Sequence, residues 1–176
     1  MLTPFSKALD RDLSSLTKNG ALKKIAAGLY YRPKTSRFGF VPPKPEEMVK
    51  CFLRDNDFLL FSWNDYNSLG LGLTQLYKRF VVYNRKRHGV FKLGWAEFDF
   101  RRPARGFPKK LTPEFLLVDF VNNMQEIAEN PSLTKKYITS SLKKFDMRKL
   151  VDNVNRYGKI ATKCFFKEMG IETISS

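Results

Sequence analysis

What this chain has little of narrows it before anything else. Two cysteines stand among 176 residues. Cys51 and Cys164 are far apart and lack CxxC spacing, which argues against a disulfide framework or a cysteine zinc site, and two buried, reduced thiols are expected. The one histidine, His88, sits in a basic turn, so neither histidine metal ligation nor a Ser-His or Cys-His nucleophile pair is expected. Long apolar runs are missing too. The longest, such as FLLF at Phe58 to Phe61, fall far short of a bilayer span, and the first residues carry no charged stretch followed by an apolar one. The expectation is a soluble, cytoplasmic protein with no membrane segment. Phosphate-binding glycine loops are also lacking. GLGLTQ at Gly70 to Gln75 contains GxG but no third glycine, and it follows a helix-like segment, so a dinucleotide site is rejected. There is no Walker loop, repeat or low-complexity tract, and no cofactor or metal is expected.

Acidic residues are scarce against basic ones, 17 against 32, leaving a net charge of +15. The excess is uneven: +6 over residues 1–38, −2 over 39–77, +9 over 78–110 and +2 over 111–176. Two basic blocks separated by a neutral one suit surfaces that meet a polyanion, because each neutralised phosphate releases condensed counterions. A hydrophobic content of 43% is enough to build a core.

Thr3-Pro4 is a helix start, with a hydroxyl N-cap and proline at the first helical position. Phe5, Leu9, Leu13 and Leu16 then recur on one face, expected to be core, while Lys7, Arg11, Ser14 and Lys18 form an exposed stripe suited to a major groove. Asn19-Gly20 closes the helix. Two β-prone runs follow, Ala21 to Ile25 and Leu29 to Arg32, with Gly28 at the turn; the opposite parity of Leu22 and Ile25 requires a bulge. Lys23, Lys24, Arg32, Lys34 and Arg37 are placed to touch a DNA backbone. A helix followed by a basic hairpin is the back half of a winged helix.

After the Pro42, Pro43 and Pro45 connector, Glu46 to Leu53 is predicted helical and Asp57 to Trp63 a buried strand. Asn64 is expected to cap a short helix ending near Gly70. Arg79 to Asn84 and Val90 to Arg101 are predicted strands, the second with a wet face bearing Glu97, Asp99 and Arg101. Pro103 to Lys110 resembles a linker. Helices are predicted from Thr112-Pro113, Asn130-Pro131 and Asp146. The expected fold is α+β: a partial winged helix over residues 1–38, a small α/β domain over 39–110 and a helical unit over 111–176.

Three pieces in order, GALKKIAAGLYYRPK, NDYNSLGLGLTQLYKRFVVYN, and FKLG with FDFRRP, resemble the AbiEi-type antitoxins of type IV toxin–antitoxin systems. The resemblance covers roughly residues 5 to 103. The middle piece is the most specific: a helix leading through Gly70 and Gly72 into a basic strand, with Thr74 and Gln75 placed to satisfy the freed amides. The resemblance implies a non-catalytic protein that represses its own operon by binding double-stranded DNA and neutralises a cognate nucleotidyltransferase toxin. By position, Lys7, Arg11, Ser14 and Lys18 would lie on the recognition helix and Lys23 and Lys24 on the wing. Such antitoxins carry further residues ahead of this helix, so the winged helix is expected to be partial.

Two other functions compete. Glu97 and Asp99, two apart on one strand, could hold Mg²⁺ in a nuclease-like site, although no third carboxylate or well-placed lysine accompanies them. A basic nucleic-acid adaptor with no toxin partner is the other.

Overall fold

A computed structural model describes residues 4–37, 39–71, 76–127 and 131–171, and the protein is α+β. In chain order the elements are α1 (Pro4–Lys18), β1 (Lys23–Ala26), β2 (Leu29–Tyr31), β3 (Lys34–Ser36), β4 (Gly39–Val41), α2 (Pro45–Leu53) and β5 (Phe58–Ser62). A 3-10 helix (Trp63–Leu69) leads to β6 (Arg79–Asn84), β7 (Gly89–Leu93) and β8 (Ala96–Arg101). The remainder is helical: α3 (Pro113–Asn122), α4 (Met124–Ile127), α5 (Pro131–Ser141), α6 (Met147–Tyr157) and α7 (Ile160–Glu168). Two compact units result, Met1–Asn56 with Val90–Phe98, and Asp57–Gly89 with Asp99–Ser176.

In the first unit, α1 ends as its sequence dictates. Gly20 takes φ +78°, which a side chain would disfavour, and the Leu22 N–H reaches back to the Leu16 carbonyl at 2.9 Å. The face expected to be core is not covered. Leu9 is 59% exposed and Leu16 39%, with only Leu13 half-buried, because the described residues of this unit place nothing over that side. β1 and β2 pair antiparallel, and the register shifts between Lys24 and Ala26. This is the bulge that the parity of Leu22 and Ile25 demanded. A second antiparallel hairpin, β3 with β4, was not foreseen; its three-residue strands carry no apolar alternation to announce it.

α2 buries Met48, Val49 and Leu53, and Glu46 and Glu47 occupy its first turn, where the helix dipole favours them. The expected strand from Val90 to Arg101 is in fact two, broken where Gly94 adopts φ +59°. Gly94 donates its N–H to the Ile25 carbonyl at 3.0 Å, tying the turn to the bulge of β1. Leu93, Ala96 and Phe98 are buried, and Phe52 meets Phe91 at 5.1 Å between ring centroids.

In the second unit β5 and β6 pair antiparallel, Phe58 opposite Asn84 through Ser62 opposite Phe80. Leu59 and Phe61 turn inward from β5. The 3-10 helix is capped by Ser62, not by Asn64 as expected: Ser62 Oγ accepts the Asn64 N–H at 3.2 Å, and Asp65 Oδ2 accepts the Ser62 N–H at 2.7 Å. The Asn64 amide instead bonds both the N–H and the carbonyl of Tyr77 at 2.7 Å, closing the segment that contains the Leu-Gly-Leu turn. Gly70 ends that helix at φ +67°; Gly72, Thr74 and Gln75 lie outside the described residues.

α3 starts at Thr112, whose hydroxyl accepts the Phe115 N–H at 3.2 Å, and it is buried on every side from Glu114 to Val121. Such a helix is the centre of a core, not an amphipathic surface piece. Around it lie Tyr66, Ile138, Leu150, Val154 and Phe166, all without exposed surface. The helix predicted from Asp146 ends at Gly158. α7 therefore starts with a new phase, burying Thr162 and Phe166 and leaving Ala161 and Cys164 outside. The expectation of two buried thiols fails for both cysteines: Cys51 and Cys164 are free and exposed. No helix among the described residues is long and apolar enough to cross a membrane.

Candidate nucleic-acid interface and a basic cleft

The spacing of four, three and four residues places one stripe along α1. Arg11, Ser14 and Lys18 are exposed and, with Ser15 and Asn19, line a shallow depression on the helix. Lys7 belongs to the same helix, but its side chain lies outside the described residues. Lys24, Arg32, Lys34 and Arg37 are exposed on the two hairpins. Lys23 differs. It is half-buried, with Nζ 3.9 Å from the centre of the Phe40 ring, so this cation–π contact directs its charge to the protein itself. Neighbours on a strand face opposite ways, which separates Lys23 from Lys24.

The carboxylate pair of the nuclease alternative does not share an open face. Glu97 is exposed, whereas Asp99 is buried and its Oδ2 accepts from Arg101 Nε at 2.8 Å. The wet face expected on β8 is covered at this point, for Phe98, Asp99 and Phe100 are buried in succession. Among the described residues no group of three or more histidine, cysteine or carboxylate side chains could hold a metal ion.

The second unit contains a cleft of about 670 Å³. Its floor is Asp119, the one charged residue in the FLLVDFV stretch of α3. Tyr66 donates to Asp119 Oδ2 at 2.6 Å and Tyr83 to Oδ1 at 2.7 Å. Burial pushes the Asp119 carboxyl up to about 6, against the opposing effects of the two tyrosine hydroxyls and of the charges on Arg101 and Lys159. Both tyrosine hydroxyls are held well above their usual range, by burial first and then by the neighbouring carboxylate. Asn123 Nδ2 donates to the Tyr83 hydroxyl at 3.3 Å and to the Asp119 carbonyl at 2.9 Å.

Above this floor stands Arg101, at the end of β8. Burial works against its charge, but hydrogen bonds to Glu126 at 2.9 Å and Asp99 at 2.8 Å more than compensate, and its pKa is raised. Its guanidinium also lies 5.2 Å from the centre of the Trp63 ring. Arg102 and Arg105, at the rim, are exposed. On the far wall Asn122 holds the start of α7. Its Oδ1 accepts the Lys159 N–H at 2.9 Å and the Thr162 hydroxyl at 2.7 Å, and its main-chain oxygen accepts from Lys159 Nζ at 2.8 Å.

This cleft was missed in the sequence, although two signals pointed to it: a lone acid within an apolar helix, and an arginine-rich stretch that resembled a linker. Part of that stretch, from Pro103 to Gly106, lines the cleft, and Phe107 packs against the core. No family model, curated protein or solved structure matches this chain.

Proposed function

We propose that this chain is an AbiEi-like antitoxin: a non-catalytic, cytoplasmic regulator that binds operator DNA through a partial winged helix and counteracts a nucleotidyltransferase toxin. The observation that carries the DNA-binding part is that Arg11, Ser14 and Lys18, aligned on α1, are exposed and are followed directly by a hairpin with Lys24 and Arg32 exposed. In this reading α1 enters the major groove, and Lys24, Arg32 and Lys34 meet phosphates. Lys23, the less exposed of the two wing lysines, also keeps its Nζ over the Phe40 ring. The antitoxin part rests on the three sequence pieces quoted above.

Reversing both cations, R11E/K18E, is expected to weaken binding to the DNA upstream of the gene by roughly 10- to 100-fold in about 50 mM salt, measured by fluorescence anisotropy. Unchanged affinity would sink the assignment of α1. Co-expression with the neighbouring reading frame separates an antitoxin from a nucleic-acid adaptor, since only an antitoxin restores growth against a toxic neighbour.

A further inference from the structure

We propose that the β3–β4 ribbon is a minor-groove arm, with the exposed Arg37 and Phe40 entering the minor groove of A·T-rich duplex DNA beside the site of α1. This arm, which rests on the DNA-binding reading of α1, adds to it a second, groove-specific contact. From the ribbon itself that reading uses only Lys34.

Charge selects a polyanion. No acidic residue stands between Asp12 and Glu46, while seven cations do, and Arg32, Lys34 and Arg37 are all exposed. The form of the ribbon selects a groove. Every residue of β3 and β4 is exposed, and a two-stranded ribbon buried on neither face is marginal in water. Its register sets Phe40 opposite Thr35 and Val41 opposite Lys34, so Phe40 and Val41 belong to opposite faces. They are 60% and 44% exposed. A groove lines an inserted ribbon on both sides, whereas a flat surface covers only one.

Of the two grooves, the minor one fits these side chains. Proteins that enter it combine arginine with apolar wedges such as phenylalanine, and narrow A·T tracts concentrate the negative potential that draws arginine in. Arg37 stands in the turn between the strands, where Ser36 Oγ donates to the Gly39 carbonyl at 3.0 Å. Pro33 precedes the ribbon and Pro42-Pro43 follow it, and their fixed φ stiffens its base. Lys23 Nζ on β1 lies 3.9 Å from the centre of the Phe40 ring, which sets the arm beside the hairpin that follows α1. Phosphates alone leave Phe40 and Val41 unused.

The test is fluorescence anisotropy of the full chain on alternating A·T, I·C and G·C duplexes of about 20 base pairs in about 50 mM salt. An I·C pair presents the minor groove of A·T and the major groove of G·C, since inosine lacks the guanine N2 amino group. A·T and I·C are expected to bind alike, and G·C roughly 5- to 10-fold more weakly. R37A/F40A is expected to weaken A·T binding about tenfold and to erase the preference, whereas F40L, which keeps an apolar wedge, retains it. R11E/K18E is expected to weaken all three duplexes and keep the preference. Netropsin, which fills the A·T minor groove, should bring the wild type down to the affinity of R37A/F40A. No binding of the wild type to any duplex sinks the DNA-binding reading and the arm with it. Equal binding to all three duplexes, I·C behaving as G·C, or R37A/F40A indistinguishable from wild type overturns the arm alone. So does an R37A/F40A chain that keeps the DNA preference but no longer restores growth against a toxic neighbour, which makes the ribbon a protein-docking surface.

Discussion

Asp119 is the buried group whose shifted titration falls in the mildly acidic range. Its carboxyl titrates at about 6 in the folded chain against 3.8 for an unperturbed aspartate, because the ionised form must be held inside α3 with two tyrosine hydroxyls in place of water. The folded state therefore binds the proton more tightly than the unfolded state. The group's contribution is fully present below pH 3.8 and is lost as pH rises to 6, a loss of about 3 kcal/mol for a shift of this size. D119N has no proton to release. The stability of the wild type minus that of D119N, from urea unfolding at pH 4, 5, 6 and 7, is expected to fall by about 2–3 kcal/mol across this range. A difference independent of pH would show that Asp119 is not titrating there.

Among the elements, the break between α6 and α7 has the clearest cause. Gly158 has ordinary backbone angles, φ −67° and ψ 131°, so left-handed geometry is not what requires a glycine. Space is: an added Cβ would stand 2.5 Å from the Val154 carbonyl oxygen. G158A is expected to cost about 2–3 kcal/mol by forced displacement of a buried turn. G170A, where φ is +78° but nothing lies within 4 Å, should cost only about 1 kcal/mol, the conformational part alone. Thermal denaturation of the two variants ranks them, and the reverse order would refute the steric account.

α1 presents the opposite situation, an apolar position left exposed. Leu9, 59% exposed, should tolerate glutamine within about 0.5 kcal/mol. A loss above about 2 kcal/mol would mean that this face is covered in solution.

At the scale of the whole molecule, the net charge of +15 makes long-range electrostatics the dominant influence on any polyanion it meets. If Arg11, Lys18, Lys24, Arg32 and Lys34 each neutralise one phosphate, log Kobs for duplex DNA should fall with log salt at a slope of about −4 to −5. R11E/K18E should flatten that slope. A slope near zero would be incompatible with a phosphate-tracking surface.

Much of this was legible in the sequence wherever the determinant is local. Thr112 and Asp146 cap their helices through hydrogen bonds to residues two or three positions away, and Asn19-Gly20, Gly28 and Gly70 end their elements by backbone preference. The α+β class and the bulge in the first hairpin followed from periodicity and parity over a few neighbours. What only the tertiary structure decided depends on residues distant in sequence. Burial of Asp119 between Tyr66 and Tyr83, burial of Asp99 on β8 and exposure of both cysteines follow from which faces the core covers, and a local pattern does not encode that. The arginine-rich stretch after β8 was mistaken for a linker for the same reason. Its prolines and glycine describe an irregular backbone, but only the packing around α3 turns that backbone into the rim of a cleft.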